Sequence, residues 1–441
     1  MVLCTSGAPH KQDGPWAWLV LACVFMTGWL SGGVGYSFGV YLPVLMEEFN
    51  ETRDKAALVC SLQFATFLCL IAVSSQLCER YGCRLICAIG HVISATGFVL
   101  SSLPRSIIPL YFSHSLFTAF GSSCIQGSGY LIIGLYFKKH RSLAIGFVAS
   151  AVGAGAICWG PLAQFLLGFM SWRNIFRLIA GLYVALCFLT IFFDPNVEKD
   201  GQERERNVEG RSFFRSMFDL SIWRGPIYAT AVLSNMIASF GHHTATIHVV
   251  KFALELGVSA SEASSLFVFF GSTSVIARIA VGKLCDIKWI KPIYLNQAAE
   301  ITSGVSTILL TQARSYPGLI VFSIFYGIAD GTFRTTLNVL LMNSVGPKRM
   351  ASAFGQGNMM ISFFAASGPA LAGLMADHFD SYIPSFYMAG SITIFGSFVY
   401  AALLCVRPTA DQPANEIEMA PKEDHVYSNS NNACQTEDTH L

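Results

Sequence analysis

Two arginines lie inside long apolar stretches of this 441-residue chain, where a charged side chain is costly. Arg278 sits in the sequence Val-Ile-Ala-Arg-Ile-Ala-Val of residues 275–281, and Arg334 follows in a later apolar stretch. An arginine in the middle of a bilayer costs about 3 kcal/mol on insertion scales, so such a residue marks a functional site by default. A guanidinium that faces a cavity binds a carboxylate through two parallel hydrogen bonds. The position of Arg278 therefore indicates a site for a carboxylate-bearing ligand. The alternative is that Arg278 forms a structural ion pair between helices.

Asp330 and Arg334 are four residues apart, which places them on one face of a helix. Two interpretations are open. In the simpler one, the two side chains neutralise each other and line the cavity as a self-satisfied pair. In the other, a ligand competes for Arg334 while Asp330 takes a proton or counters a cationic group of the ligand. A zwitterionic ligand would fit Arg278 together with Asp330.

Other polar residues at membrane depth are further candidates for the site, and the sequence leaves more than one role open for each. His242 and His243 could relay protons, because imidazole titrates near physiological pH, or could donate hydrogen bonds within a helical bundle. Asn235 could line a cavity or hold helices together. Glu300 is a further carboxylate that the sequence does not place.

The chemistry that the chain lacks also limits its function. Its thirteen cysteines fall mostly inside apolar blocks, with no paired metal-ligand spacing and no disulfide framework. The sequence contains no Walker A pattern and no nucleophile–base constellation. We therefore predict that the protein is not an enzyme and uses no metal, cofactor or nucleic acid.

The composition identifies the environment that must position these residues. Hydrophobic residues make up 53% of the chain and charged residues 12%, too few to coat a soluble globule of this size. The apolar residues fall in blocks of about 20, the length that crosses a hydrocarbon core of about 30 Å as a helix. We predict an all-α multi-pass membrane protein whose twelve spans begin near Ala17, Ala57, Leu85, Ile107, Ser142, Ile175, Trp223, Ser261, Ile290, Pro317, Ala351 and Tyr382.

An internal repeat divides the twelve spans into two sets of six. Glu79 and Asp286, Gly160-Pro161 and Gly368-Pro369, and Ala180-Gly181 and Ala389-Gly390 are separated by 207, 208 and 209 residues. Paired bundles of this kind suit alternating access to a site between them. The predicted segments are an N-terminal segment (1–16), a six-helix bundle (17–194), a linker (195–222), a second six-helix bundle (223–406) and a disordered tail (407–441).

Lysine and arginine are distributed unevenly between the predicted loops. Nineteen of them fall in one set of loops and six in the other. Because loops rich in Lys and Arg stay on the cytoplasmic side, both termini are predicted to be cytoplasmic.

Three stretches resemble a known family. The segment 75–84 resembles the loop signature of the major facilitator superfamily, whose fold has twelve helices in two six-helix halves. Asp13-Gly-Pro-Trp-Ala-Trp18 and Tyr136-Phe-Lys-Lys-His-Arg-Ser-Leu-Ala-Ile-Gly146 resemble the two signatures of the monocarboxylate transporters within that superfamily. The resemblance covers nearly all the spans but not the linker or the tail. The charged residues of segment 75–84 could cap helix ends and pair across the halves, or form a solvated loop that follows the positive-inside rule. The first interpretation predicts a latch on the cytoplasmic side, formed by Glu79, Arg80, Arg84 and Asp286.

The resemblance also carries a role for individual residues. In monocarboxylate transporters, the arginine that matches Arg278 binds the substrate carboxylate. Proton-coupled members have an aspartate one turn before this arginine and a lysine in the first span, where this chain has Ser274 and Tyr36. Neither residue titrates near neutral pH, so proton coupling by the family's route is doubtful. We include Tyr36 and Ser274, with Asn235, Asp330 and Arg334, among the candidates for substrate binding.

The sequence thus predicts an alternating-access carrier of small carboxylate-bearing solutes in the plasma membrane. A facilitative carrier of amino acids or creatine-like zwitterions is the alternative, and a non-transporting sensor or scaffold is a third possibility. The resemblance implies a single-span glycoprotein escort for some relatives. The terminal residues Thr439, His440 and Leu441 match the pattern that PDZ domains capture, or belong to a disordered tail.

Overall fold

The computed structural model describes residues 9–197, 217, 219–346 and 349–401, and these are predominantly helical. Most of the predicted linker, the predicted tail and the PDZ-type terminus at residues 439–441 lie outside the described residues. We number the long helices α1 to α12. The first six are α1 (Pro15–Tyr36), α2 (Arg53–Tyr81), α3 (Cys83–Ser101), α4 (Ala119–Tyr136), α5 (Arg141–Leu167) and α6 (Trp172–Cys187). The second six are α7 (Pro226–Glu255), α8 (Ala260–Cys285), α9 (Pro292–Leu310), α10 (Tyr316–Asn343), α11 (Met350–Phe379) and α12 (Ile383–Phe398).

Short helical turns extend several of these helices. Ser37–Tyr41 and Leu42–Phe49 continue α1, and Ile108–Phe112 and the π-helical turn Ser113–Thr118 lead into α4. Phe188–Phe192 follows α6, Leu220–Arg224 precedes α7, and Val399–Ala401 follows α12. Each long helical segment begins within four residues of its predicted start.

Eight helical segments in the described chain are long and apolar enough to cross a membrane, judged by length and composition. They comprise the segments built on α1 to α6, together with α8 and α11. The remaining long helices α7, α9, α10 and α12 lie where the other four spans are predicted. The multi-pass prediction is therefore confirmed, while the number of twelve spans stays a prediction.

The packing of the helices repeats after six helices. In the first half (α1 to α6), α1 packs on α5, α2 on α4, and α3 on α4 and α6. In the second half (α7 to α12), the corresponding pairs are α7 with α11, α8 with α10, and α9 with α10 and α12. The halves meet mainly through α2 with α11 and α5 with α8. The internal repeat of the sequence is thus present in the structure.

Close contact between α5 and α8 depends on glycine. A Cβ at Gly146 would overlap the carbonyl of Arg278 and would lie 3.1 Å from the Cα of Gly282. Small residues allow helix backbones to approach in a membrane, where association depends on packing rather than on hydrophobic burial. This approach brings the backbone of α5 within reach of the Arg278 side chain.

The two stretches that resemble family signatures pack against each other. The Asp13 carboxylate accepts hydrogen bonds from the backbone N–H groups of Lys138, Lys139 and His140 at 3.1, 2.9 and 3.1 Å. These groups immediately precede α5, where the helix dipole favours a negative charge. Trp18 packs edge-on against Phe137, with ring centroids 5.2 Å apart. Both signatures therefore have a structural role at the start of α5.

Candidate functional site

A buried carboxylate on α10 gathers side chains from three helices. Asp330 is 2% exposed and accepts hydrogen bonds from His242 Nε2 of α7 at 3.1 Å and Ser274 Oγ of α8 at 2.7 Å. It also accepts from the guanidinium groups of Arg278 on α8 at 3.0 Å and Arg334 on its own helix at 2.9 Å. We call these five residues the charged cluster.

Arg278 connects the charged cluster to the other half of the molecule. While one terminal nitrogen donates to Asp330, the other donates to the backbone carbonyl of Ala149 on α5 at 2.7 Å. The Arg278 side chain is 9% exposed, and its Nε is buried without a hydrogen-bond partner among the described residues. The guanidinium therefore bridges the boundary between the halves and keeps one donor unused.

Arg334 is the more accessible arginine of the cluster. Its side chain is 28% exposed, and a terminal nitrogen donates to His243 Nε2 at 3.0 Å. The His243 ring lies 6.4 Å from that of Phe64 on α2, which in turn lies 6.3 Å from the ring of Tyr36. Tyr36 is 53% exposed. Arg334 and Tyr36 thus belong to a more open region that both halves line.

The charges of the cluster do not cancel. Two guanidinium groups share the single carboxylate of Asp330, so with His242 neutral the cluster has a formal charge of +1. A buried charge requires a partner, and each unpaired one is strongly destabilising. The cluster is therefore suited to accept one additional negative charge.

Ser274 occupies the position of the aspartate that the resemblance implies for proton-coupled relatives. Its hydroxyl donates to Asp330, so a carboxylate does lie beside Arg278 but is supplied by α10 instead of α8. Sequence reasoning paired Asp330 with Arg334, and considered it together with Arg278 only as a joint site for a zwitterionic ligand. It missed the direct hydrogen bond between Asp330 and Arg278 because the two residues are 52 positions apart and meet only through the packing of α8 on α10.

Asn235 does not join the charged cluster. It is fully buried, and its amide nitrogen donates to the Ala231 carbonyl at 2.7 Å and to the Tyr400 hydroxyl at 3.2 Å. Asn235 and His242 are seven residues apart on one face of α7, which separates them by about 10 Å along the helix axis. The predicted role of Asn235 in substrate binding therefore has no support from the geometry.

A second polar network, missed by sequence reasoning, surrounds Glu300 on α9. Its side chain is fully buried and contacts Ser234 and Asn296. A signal was present in the sequence, because Asn296, Glu300, Ser303 and Thr307 recur at helical spacing and all are buried on α9.

Contacts between the halves close the molecule at the end that carries Asp286. The Asn338 amide, one turn beyond Arg334, donates to the Tyr130 hydroxyl of α4 at 3.3 Å. Nearer to that end, Gln76 of α2 donates to the Ser352 hydroxyl of α11 at 3.0 Å. A solute held at the charged cluster is therefore separated from the Asp286 end by bonded layers.

Asp286 itself caps a helix of the opposite half. Its two carboxylate oxygens accept from the backbone N–H groups of Ser142 at 2.9 Å and Leu143 at 3.0 Å, in the first turn of α5. Glu79 and Arg80 lie in the last turn of α2 and Arg84 in the first turn of α3, on either side of the Gly82 turn. The structure thus places Asp286 across the boundary, in a position to latch the halves.

Replacing Asp286 with asparagine should weaken this closed end. Asparagine keeps one acceptor but loses the charge that the helix dipole attracts, a change worth about 1 kcal/mol. We expect the ratio of open to closed molecules at this end to rise about five-fold. Spin labels at the exposed residues Tyr81 and Lys288, one in each half, would report this as a larger long-distance fraction.

Asp380→Asn, an identical substitution at the other end of the molecule, is the matched control for this measurement. It should leave the distance distribution unchanged. If Asp286→Asn also leaves the distances unchanged, the hydrogen bonds to α5 do not latch the halves.

Comparisons with known proteins agree with this architecture. The sequence model of the Major Facilitator Superfamily matches residues 18–366 and 298–428. Among solved structures, the human organic anion transporter MFSD10 (TETRAN) superposes with a TM-score of 0.72 at 15% identity, covering 88% of this chain and 100% of that one. The transporter FucP, in its outward conformation, gives a TM-score of 0.65 at 15% identity, covering 87% and 98%. These structures confirm the predicted fold.

Curated relatives confirm the resemblance that the signature stretches indicated. Monocarboxylate transporter 3 of Gallus gallus is 28% identical over 90% of this chain and 80% of that protein. Monocarboxylate transporter 4 of Gallus gallus is 25% identical over 93% and 88%. Monocarboxylate transporter 10 of Rattus norvegicus is 26% identical over 91% and 80%.

Proposed function

The chain belongs to the major facilitator superfamily, and on this premise we propose that it carries small monocarboxylates across the plasma membrane by alternating access. The observation that carries the proposal is the charge of the buried cluster at the boundary between the halves. Arg278 and Arg334 share one carboxylate, so a monoanionic solute would bring the cluster to neutrality. The similarity to proteins named monocarboxylate transporters supports the same class of substrate.

In the proposed site, Arg278 binds the substrate carboxylate and Arg334 guides it from the open region. The Nε of Arg278 has no partner among the described residues, so it is a donor that the solute reaches once the guanidinium moves. Tyr36 and His243 lie along the approach to Arg334 and would contact the remainder of the solute. A carboxylate that draws Arg278 away from Ala149 would also remove one bond between the halves. Substrate binding and separation of the halves are then linked.

The cluster favours an anion over a zwitterion. Asp330 already accepts hydrogen bonds from four side chains, including both arginines, so it has little capacity for a cationic group of the solute. A zwitterion adds no net charge and would leave the excess positive charge in place. Amino acids and creatine-like solutes are therefore the weaker candidates.

Uptake into oocytes tests the proposal with matched pairs of solutes. Lactate and lactamide have nearly the same shape and differ in charge, and creatine serves as the zwitterion. We expect lactate or another small monocarboxylate to enter at least about tenfold faster than its amide, equivalent to about 1.4 kcal/mol. Equal uptake of acid and amide, or uptake of creatine alone, would contradict the proposal. Binding of a carboxylate without uptake would instead favour the sensor.

We extend the proposal to orientation and partners. The excess of Lys and Arg in one set of loops supports cytoplasmic termini, with the latch of Asp286, Glu79, Arg80 and Arg84 on the cytoplasmic side. Epitope tags at both termini should then react with antibody only after the cells are permeabilised. The escort glycoprotein and the PDZ partner stay predictions, since the residues that would bind a PDZ domain lie outside the described chain.

A further inference from the structure

The Ser234 hydroxyl contacts three acceptor oxygens in the Glu300 network but has only one hydrogen to donate. Ser234 Oγ lies 2.7 Å from the carbonyl oxygen of Gly396, 2.9 Å from Glu300 Oε2 and 3.1 Å from Glu300 Oε1. A serine hydroxyl has one hydrogen and two lone pairs. If that hydrogen goes to the nearest acceptor, the Gly396 carbonyl, the contact with Glu300 has none. With the hydrogen in that position, a second hydrogen is required between Ser234 and Glu300.

A proton on Glu300 completes every bond of this network. Asn296 Nδ2 donates to Oε1 at 2.7 Å, which leaves Oε2 to donate to Ser234, and Ser234 then donates to Gly396. Exchanging the oxygen and nitrogen of the Asn296 amide does not remove the need for a proton on Glu300. The Asn296 oxygen would then face Glu300 Oε1, and two acceptor oxygens in contact need a proton between them. With Ser234 donating to Gly396, both orientations of the Asn296 amide thus place one proton on the Glu300 carboxyl.

Within the described part of the chain, the groups around Glu300 include no cation that would balance an ionised carboxylate. Among the described residues, α7 presents Ser234 and Asn235, α9 presents Asn296, and α12 presents its backbone. From α10, Thr336 contacts the Asn296 oxygen at 2.9 Å. The titratable group that faces Glu300 is the buried phenol of Tyr400, which is an acid and supplies no positive charge. Glu300 makes no ion pair in the described part of the chain, unlike Asp330.

Tight packing separates this network from water. Glu300 is 0% exposed. One turn along α9, a Cβ at Gly304 would lie 2.7 Å from the Gly390 carbonyl of α12, so the two backbones are in contact. An isolated ionised carboxylate in such surroundings is strongly disfavoured, and the group takes a proton instead. Losing the proton requires that α9 separate from α7 or α12 so that water can enter.

We propose that Glu300 is a proton-binding site of this protein, apart from the charged cluster, and that its proton is bound in the conformation described here. Its role in transport rests on the proposed function. Because Ser234 lies on the helix of His242, and Thr336 on the helix of Asp330, proton release would change the packing of the helices that hold the charged cluster. Uptake then depends on pH through Glu300, although the family's aspartate and lysine are replaced by Ser274 and Tyr36.

Infrared spectroscopy of the full chain in nanodiscs of ether-linked lipids, which have no ester carbonyl, tests the site without any substrate. Exposed carboxylates are ionised near neutral pH and do not contribute in the carbonyl-stretch region of protonated acids. We expect a band in this region, shifted in D2O, that disappears in Glu300→Gln and remains in Glu255→Gln, the same substitution at an exposed position of α7. A band that is absent from the unsubstituted chain, or that persists in Glu300→Gln, would overturn the proposal.

Two further measurements address the partner and the ligand. Ser234→Ala removes the acceptor of the proton, so the band should move to higher frequency, and an unmoved band would refute the assigned bond. Replacing Na+ with choline should change neither the band nor uptake. If the band or uptake required Na+, the site would bind a metal cation and the proposal of a bound proton would be wrong.

The role in transport is measured by the pH profile of uptake. Glutamine mimics the protonated carboxyl, so Glu300→Gln should reach the surface and carry substrate. The ratio of uptake at about pH 6 to that at about pH 7.5 should fall to about 1, whereas it should stay at several-fold in Glu255→Gln. An unchanged profile in Glu300→Gln would contradict the transport role. If no carboxylate enters in any variant, the proposed function fails while the infrared result still decides the proton site.

Discussion

Replacing Arg278 with glutamine is expected to reduce monocarboxylate uptake about 100-fold at equal surface expression, which corresponds to about 3 kcal/mol. The substitution removes the bond to the Ala149 carbonyl and one of the two cations on Asp330. It also brings the formal charge of the cluster to zero, so the site no longer favours an anion. Radiolabelled uptake, corrected by surface biotinylation, provides the measurement.

The lysine variant separates charge from geometry at this position. Arg278→Lys keeps the positive charge, but a single ammonium group does not reproduce the fork that contacts Asp330 and Ala149 together. We expect uptake about tenfold below that of the unsubstituted chain, between the values for arginine and glutamine. Arg224→Gln, at an exposed arginine before α7, is the matched control and should leave uptake unchanged. Normal uptake by Arg278→Gln would refute the proposed carboxylate site.

The positions of the helices could be predicted from sequence because the bilayer fixes their length. A segment needs about 20 apolar residues to cross the hydrocarbon core, so composition alone indicates where each helix begins. Pro15 and Met350, at the starts of α1 and α11, lie two residues and one residue from the predicted starts. The same argument leaves the contacts between helices undetermined, because lipid-facing and buried positions are both apolar.

The charged cluster was predictable in part for a related reason. The spacing of Asp330 and Arg334 follows from helix geometry, so their pairing can be inferred locally. His242 and Arg278 reach Asp330 from 88 and 52 positions away, and helix packing alone brings them there. For Glu300, the sequence shows the residues on its own helix but not the partner on another helix. The buried polar stripe on α9 is visible in the sequence, but its partner Ser234 lies on another helix, next to the residue that sequence reasoning selected, Asn235.

Asp330→Asn should be the most destabilising single substitution in the cluster. It leaves Arg278 and Arg334 side by side at membrane depth without the carboxylate that both contact. Breaking a buried ion pair by removing one partner costs about 3–5 kcal/mol, so we expect little folded protein at the surface. Thermal unfolding of the purified protein, followed by size-exclusion fluorescence, would show a clearly lowered midpoint. Asp380→Asn, an exposed position, should leave the midpoint unchanged.

A second substitution should then restore the fold. Arg334→Gln added to Asp330→Asn removes one of the two unbalanced cations and returns the formal charge of the cluster to +1. Because the two residues share a network, their effects should not add, and we expect the double variant to recover at least about 2 kcal/mol relative to Asp330→Asn. A double variant less stable than either single one would show that charge balance does not govern this site. Recovery of both stability and uptake would show that the residues around Arg278 must have no net charge, but that the Asp330 carboxylate itself is not required. It would also identify Arg278 as the arginine that binds the solute.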